Sequence, residues 1–223
     1  MKVPQQIKGN ATDNVSVNKF PEVETAKEHF RIVSARLRNI NGWKALAGPQ
    51  TAAFQVYNSD GQPADREVRE GDYIRIDIPG PGSSTGDGFD WVTVLSIRAA
   101  NNKEDDGDTG NENEINTNKT DHGKNEPGED ADESLTITVK PSDNPLNRKE
   151  DTAHFFESSA TSTFIIQRIG TRVQASVHGR NEEPNTRISA TIDKMRNTLV
   201  AKGAAAGFSG MQWQSLTDGL IGS

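Results

Sequence analysis

The chain contains no cysteine among its 223 residues. That excludes a disulfide framework, a thiolate nucleophile and a cysteine-ligated structural zinc. The first residues, Met1 to Asn14, carry Lys2 but no apolar core of a secretory signal. A cytoplasmic protein is therefore the expectation. Aromatic residues are scarce at 6%, and apolar residues make up only 32%. No run approaches the roughly 18 consecutive apolar residues of a membrane-crossing helix, so no membrane span is expected. Clustered basic residues are missing too, and with them the electrostatic footprint of nucleic-acid binding. The motifs of common chemistry are absent as well: no G-x-x-x-x-G-K-[ST] phosphate loop and no G-x-S-x-G nucleophile elbow. The sequence assigns no cofactor, no metal and no catalytic residue.

What is present in excess is acid, and it is concentrated. Asn101 to Glu133 holds twelve Asp and Glu residues against Lys103, Lys119 and Lys124, a formal charge of −9. The whole chain is −7, so the remainder is +2. Asp106-x-Asp108 with Asn111 and Glu112 invites a calcium reading, because hard cations take carboxylate oxygens. No register supplies the EF-hand ligands with Gly at the sixth place and Glu at the twelfth. The expectation is a disordered, solvated loop of residues 101–133, extended by self-repulsion. Its charge would suit a basic protein partner.

Outside this loop the periodicity is ordinary. A flexible N-terminus, 1–12, precedes one α+β domain over 13–223. Val15 and Val17 alternate with polar neighbours as a short strand. Ala26, Phe30, Val33 and Leu37 recur at i, i+4, i+7 and i+11, one apolar stripe of a helix that Asn41-Gly42 ends. The period then becomes two. Strands are predicted at Thr51–Tyr57, Tyr73–Ile78 and Trp91–Arg98, and around Leu135, Ile137 and Val139. Two more, Thr161–Ile169 and Arg172–His178, flank the two-residue turn Gly170-Thr171. Helical spacing returns with Ile188, Ile192, Met195 and Leu199. Gly203 and Gly207 break or fray that helix, and Trp213, Leu216 and Leu220 form a last short one, where Ser209-x-x-Gln212 has the form of a capping box with Phe208 and Trp213 as its staple. The glycine-rich Gly80–Gly88 reads as a loop between strands.

The order is strand, helix, six strands, helix. A mainly antiparallel sheet needs something to cover its apolar face, and the C-terminal helix has the stripe to do it. This order over residues 13 to 221 resembles the helix-grip fold of the START-like and polyketide-cyclase superfamily. Local echoes are Asn39-Ile40-Asn41-Gly42-Trp43, Gly170-Thr171-Arg172-Val173 and Trp213-x-x-Leu216. The fold expected is an α+β domain. Its antiparallel, strongly curved sheet of six or seven strands packs on a long C-terminal helix. The alternative is another α+β domain with an antiparallel sheet and terminal helices.

The resemblance implies an apolar or amphipathic small molecule bound between sheet and C-terminal helix. The residues expected to line that site are Trp43, Phe54, Trp91, His154, Phe156, Phe164 and Arg168. Arg168 shares a strand face with Phe164 and Ile166 and is a candidate for orienting a polar group. Two alternatives stand beside this reading. One is a protein-interaction module using the acidic loop. The other is a cyclase- or hydrolase-type enzyme with His154 or His178 as general base. In His154-Phe155-Phe156-Glu157 the imidazole and carboxylate share a face on a helix but not on a strand. His178-Gly179-Arg180-Asn181 is the densest polar cluster outside the loop, and turn chemistry with Arg180 paired to Glu182 or Glu183 explains it without catalysis.

Overall fold

Seven strands form a single antiparallel sheet whose order follows from one long-range pairing. They are β1 (Asn10–Lys19), β2 (Ala53–Tyr57), β3 (Tyr73–Asp77), β4 (Asp90–Asn102), β5 (Asp132–Pro141), β6 (Thr161–Ile169) and β7 (Arg172–Glu182). Their order across the sheet is β1-β7-β6-β5-β4-β3-β2. Strands β2 to β7 run as successive antiparallel neighbours, and β1 closes onto β7 at the far edge. The computed structural model describes residues 3–78, 88–102, 132–147, 156–183 and 208–222. The expected helical stripe at Ile188–Leu199, His154, most of Gly80–Gly88 and the acidic segment 103–131 lie outside them.

Helix α1 (Val23–Arg38) follows β1 directly. Its stripe Ala26, Phe30, Val33 and Leu37 is buried, as the spacing requires, and packs on β6 and β7. A 3-10 turn, Ile40–Gly42, leads into the short α2 (Trp43–Ala47). The C-terminal helix α3 (Phe208–Ile221) lies on β1, β7 and α2. The architecture is the expected α+β arrangement, a curved antiparallel sheet with a C-terminal helix on its inner face. Leu135, Ile137, Val139, Phe164, Ile166, Val173, Ala175 and Val177 point into one core with the α1 stripe, Trp43, Leu216 and Leu220. The hairpin between β6 and β7 turns at Gly170, where φ is +54° and glycine is the natural occupant.

Four details depart from the periodicity. Val15 and Val17 of β1 face outward and are exposed, while Ser16 between them is buried. The inner side of β1 is polar because a polar strip of α3 covers it. Ser16 donates to Asp218 Oδ1 at 2.5 Å, Gln214 donates to Ser16 Oγ at 3.0 Å, and Asn18 donates to the Ile221 carbonyl at 2.8 Å. Strand β5, which runs between β4 and β6, is buried on both sides, including Thr136 and Thr138. The acidic stretch is trimmed at its ends: Asn101 and Asn102 extend β4, and Asp132 and Glu133 begin β5, paired across the ladder. Finally, Gln212 Oε1 accepts from the backbone N–H of Ala52 at 3.4 Å, and the Ser209 side chain of the expected capping box lies outside the described residues.

The end of α3 is held by side chains from elements far away in sequence. Arg36 donates to the carbonyls of Leu220 and Gly222, and His29 Nε2 donates to that of Ile221 at 2.9 Å. These carbonyls have no partner within the helix, and an arginine there also opposes the negative end of the helix dipole.

Before β1, the segment Gln5–Lys8 is fastened to the end of β7 by Asn181. Its Oδ1 accepts from Ile7 and Lys8, and its own N–H donates to Gln6 Oε1. Asn181 has φ +56° and sits where the β1–β7 register slips. Beside it the carboxylate of Glu182 is buried against Gly179 and accepts from Thr12 Oγ1 at 2.6 Å. Burial pushes its pKa above the ordinary carboxylate value, and the Thr12 hydrogen bond and Arg180 only partly offset that. A carboxyl with a raised folded pKa contributes full stability below its unfolded pKa and loses it as pH rises through the folded value. Glu182→Gln keeps an acceptor for Thr12 and has no charge to bury. It is expected to melt higher than wild type at neutral pH, where wild type must bury a charged carboxylate. The advantage should shrink as pH falls toward 4, and thermal melts across that range check it. A difference that is flat with pH refutes the assignment.

Candidate functional site

The turn after α1 delivers the central residue of an aromatic cluster. Gly42 N–H closes the turn onto the Asn39 carbonyl, and Asn41 is pinned by its amide. Its Nδ2 donates to Ala64 O at 2.9 Å and its Oδ1 accepts from Val56 N at 2.8 Å. This is the physical content of the Asn39–Trp43 segment: the asparagine ties the turn to β2 and aims Trp43 at the sheet. Trp43 is 1% exposed, and its Nε1–H reaches the carbonyl of Leu37 at 3.2 Å. A buried indole N–H with a backbone acceptor leaves the ring free to pack.

Four rings meet there. Trp43 lies 5.3 Å from Phe54 and 4.8 Å from Phe164 between ring centroids. Trp213 of α3 lies 6.3 Å from Phe54 and 5.4 Å from Phe164. The cluster spans β2, β6, α2 and α3, so it forms only when sheet and C-terminal helix are together. Trp43, Phe54 and Phe164 are buried, and Trp213 is half-buried. It offers apolar and π surface and no proton donor or acceptor of catalytic strength.

The other expected site residues go elsewhere. Trp91 is buried on the opposite face of the sheet. It pairs with Arg75 across the ladder, packs edge-on against Tyr57 at 4.9 Å, and has no place in the inner core. Arg75 stacks over Phe89 beside it, 4.3 Å from the ring centroid. Arg168 does share the inner face with Phe164 and Ile166, but it lies four residues along β6 from the cluster, about 13 Å. It is 1% exposed, and its Nε donates to Glu133 at 2.7 Å while Nη1 donates to the Gly170 carbonyl at 3.0 Å. Phe156 is half-buried near the end of β7, where Glu157 N–H bonds the Glu183 carbonyl. His154 lies outside the described residues.

His178 stands on the outer face. Its Nδ1 meets Asp13 Oδ1 at 2.5 Å and its Nε2 lies 3.0 Å from Ser176 Oγ. Arg180 donates to the same Asp13 oxygen at 2.7 Å, so its partner is Asp13 rather than Glu182 or Glu183. Partial burial pushes the Asp13 carboxyl up, but hydrogen bonds and charge from His178 and Arg180 pull it below the ordinary value. The Ser–His–Asp connectivity resembles that of a nucleophilic triad. Strand β7 is interior to the sheet, however, and pairs on both sides, so the N–H groups around Ser176 are committed to the ladders and none is available as an oxyanion donor. The cluster is a strap joining β1 to β7. Nearby on this face, a cleft of about 60 Å³ between Gln167, Ile169, Arg172 and Gln174 falls far short of the roughly 300 Å³ of a small ligand pocket.

Among the described residues no three His, Asp or Glu side chains gather as metal ligands, and no helix is long and apolar enough to cross a membrane.

Comparison with protein-family models and with curated proteins gives no match. Solved structures of similar outline exist at low identity. A hypothetical protein of Helicobacter pylori is 12% identical with a TM-score of 0.49, covering 96% of this chain and 87% of that one. Norcoclaurine synthase of Thalictrum flavum is 7% identical with a TM-score of 0.39, covering 100% and 98%. A major latex-like protein of Panax ginseng is 10% identical with a TM-score of 0.32, covering 87% and 94%. Their activities are their own, and the reading of this site rests on its geometry.

Proposed function

We propose that the protein binds an apolar or amphipathic small molecule between the curved sheet and the C-terminal helix, against the cluster of Trp43, Phe54, Phe164 and Trp213. The observation that carries this reading is the half-buried Trp213 at the seam between helix and sheet, whose ring packs edge-on against the buried Phe164 and lies tilted 6.3 Å from the buried Phe54. Apolar walls supply affinity in such a site, and a few polar groups set orientation. Arg168 is engaged with Glu133 and distant from the rings, so orientation falls to other groups. The absence of a strong acid or base among the four rings favours binding over catalysis.

The chain reports on its own site. Two of its three tryptophans, Trp43 and Trp213, belong to the cluster, and Trp91 is on the far side of the sheet. Trp91→Phe removes the unrelated emission. Titration of that variant with 1-anilinonaphthalene-8-sulfonate, and then with decanoate, is expected to give saturable quenching. Trp213→Ala should weaken both at least tenfold while the protein stays folded. Native mass spectrometry of the purified protein tests for a co-purified ligand. No saturable binding up to millimolar probe, together with no bound species in the mass spectrum, would sink the proposal.

A further inference from the structure

The two edges of the sheet are treated differently. Strand β2 is closed off: Val56 N–H bonds Asn41 Oδ1, Val56 O accepts from Ala64 N–H, and Tyr57 bridges to Pro63. Strand β1, ten residues long and free of proline, forms the other edge. The bond from Phe20 N–H to Thr171 O fixes its hydrogen-bonding parity. Phe20 turns its backbone toward β7, so the even residues Asn18, Ser16 and Asn14 do too, and Asp13, Val15, Val17 and Lys19 direct their N–H and C=O groups away from the sheet. Among the described residues, none bonds the backbone of Val15, Val17 or Lys19 from that side. The side chains of these same four residues lie on the outer face, with Val15 43% and Val17 38% exposed. An open, partly apolar edge is a template for another strand.

We propose that β1 pairs antiparallel with β1 of a second copy of this chain, about a two-fold axis at Ser16, to make one continuous sheet across the dimer. The register follows from complementarity. Centred on Ser16, Val15 lies opposite Val17 of the other copy, and Asp13 lies opposite its Lys19. Each of these is a hydrogen-bonded pair because the residues share parity. Shifting the centre by one residue either way puts a charged side chain opposite valine and unmatches the ions. A lysine at a sheet edge ordinarily discourages pairing. Here the acid three residues before the centre answers the base three residues after it, so the two charges cancel in this register alone. Asp13 is bonded to His178 and Arg180 within its own copy, yet its side chain is still 51% exposed and open to a neighbouring lysine. The new contact extends the sheet in its own plane and leaves α3 undisturbed on the inner face.

Sedimentation equilibrium of the full chain from low micromolar to millimolar concentration tests this. Wild type is expected to show a reversible monomer–dimer equilibrium. Val15→Pro removes an outward N–H that the intramolecular ladder does not use and places a ring in the path of the incoming strand. It should weaken the dimer at least tenfold with an unchanged far-ultraviolet circular dichroism spectrum. Lys19→Glu sets like charges against Asp13 and should weaken it as well, which decides the matter if Val15→Pro folds poorly. A wild type monomeric throughout overturns the proposal, and so does a dimer indifferent to both substitutions.

Discussion

Gly219→Ala should destabilise this protein by about 2 kcal/mol or more, although the same change within an exposed helix stabilises by roughly 1 kcal/mol. Gly219 lies in α3 where that helix crosses α2. A Cβ built there would sit 2.2 Å from the carbonyl oxygen of Leu46 and 2.6 Å from its carbonyl carbon. Those are backbone atoms, so no rotamer change relieves the contact. Either α3 slides away from α2, or α2 moves with Trp43 on it. The second would loosen the aromatic cluster, since Trp43 begins α2 and touches both phenylalanines. For a domain of this size the loss corresponds to a melting temperature lower by about 4–8 °C. Gly42→Ala is the control, because its new Cβ would meet only the side-chain amide of Asn39, at 3.1 Å. If Gly219→Ala melts at or above wild type, the helices are not packed as closely as described.

The second large effect concerns Arg168 and Glu133. The guanidinium is 1% exposed, the carboxylate side chain 24%, and they meet at 2.7 Å across the β5–β6 ladder. Removing one member of a buried ion pair strands the other, which typically costs about 3–5 kcal/mol, whereas replacing both by apolar residues of similar size is often neutral or better. Glu133→Ala is therefore expected to lower the unfolding free energy by about 3 kcal/mol, given that one partner retains some solvent. The double variant Glu133→Leu/Arg168→Met should recover most of that loss. Urea unfolding of the wild type, both single variants and the double variant forms a cycle that reads the coupling directly. A cost for Glu133→Ala within the ±0.5 kcal/mol of an ordinary surface substitution would show that the guanidinium does not depend on this carboxylate. Held by the Glu133 carboxylate and the Gly170 carbonyl, Arg168 ties β6 to β5, and a ligand would have to compete for it.

Glu133 also shows where reading the chain in one dimension misleads. By charge alone it is the last residue of an acidic run and belongs with solvent. In the fold it is the second residue of β5, and its partner stands thirty-five positions later on the neighbouring strand. Charge counting cannot separate a solvated acid from a ladder acid, because the distinction depends on which strand comes to lie alongside. Trp91 teaches the same lesson for apolar residues. Trp91, Val92, Val94 and Leu95 are apolar on both faces, so alternation could not say which of them looks inward. The register with β3 decides it, placing Trp91 beside Arg75 on the outer face.

Among the described residues, the sequence by itself determined the element types and their order. It also determined the buried faces wherever one periodicity was clean. The α1 stripe at Ala26, Phe30, Val33 and Leu37, the inward Val173, Ala175 and Val177 of β7, and the Gly170-Thr171 hairpin are all local, set by 3.6- or two-residue spacing and by a turn needing positive φ. Only the tertiary structure decided the rest: that the valines of β1 face outward because α3 brings Gln214 and Asp218 over Ser16, that Trp213 meets Phe54 and Phe164, that Gly219 lies against the backbone of Leu46, and that His178 joins Asp13 on the face away from the aromatic cluster. Each depends on residues brought together from across the chain. A repeat along the sequence separates one face of an element from the other, but which face is covered, and by what, is set by the element that packs against it.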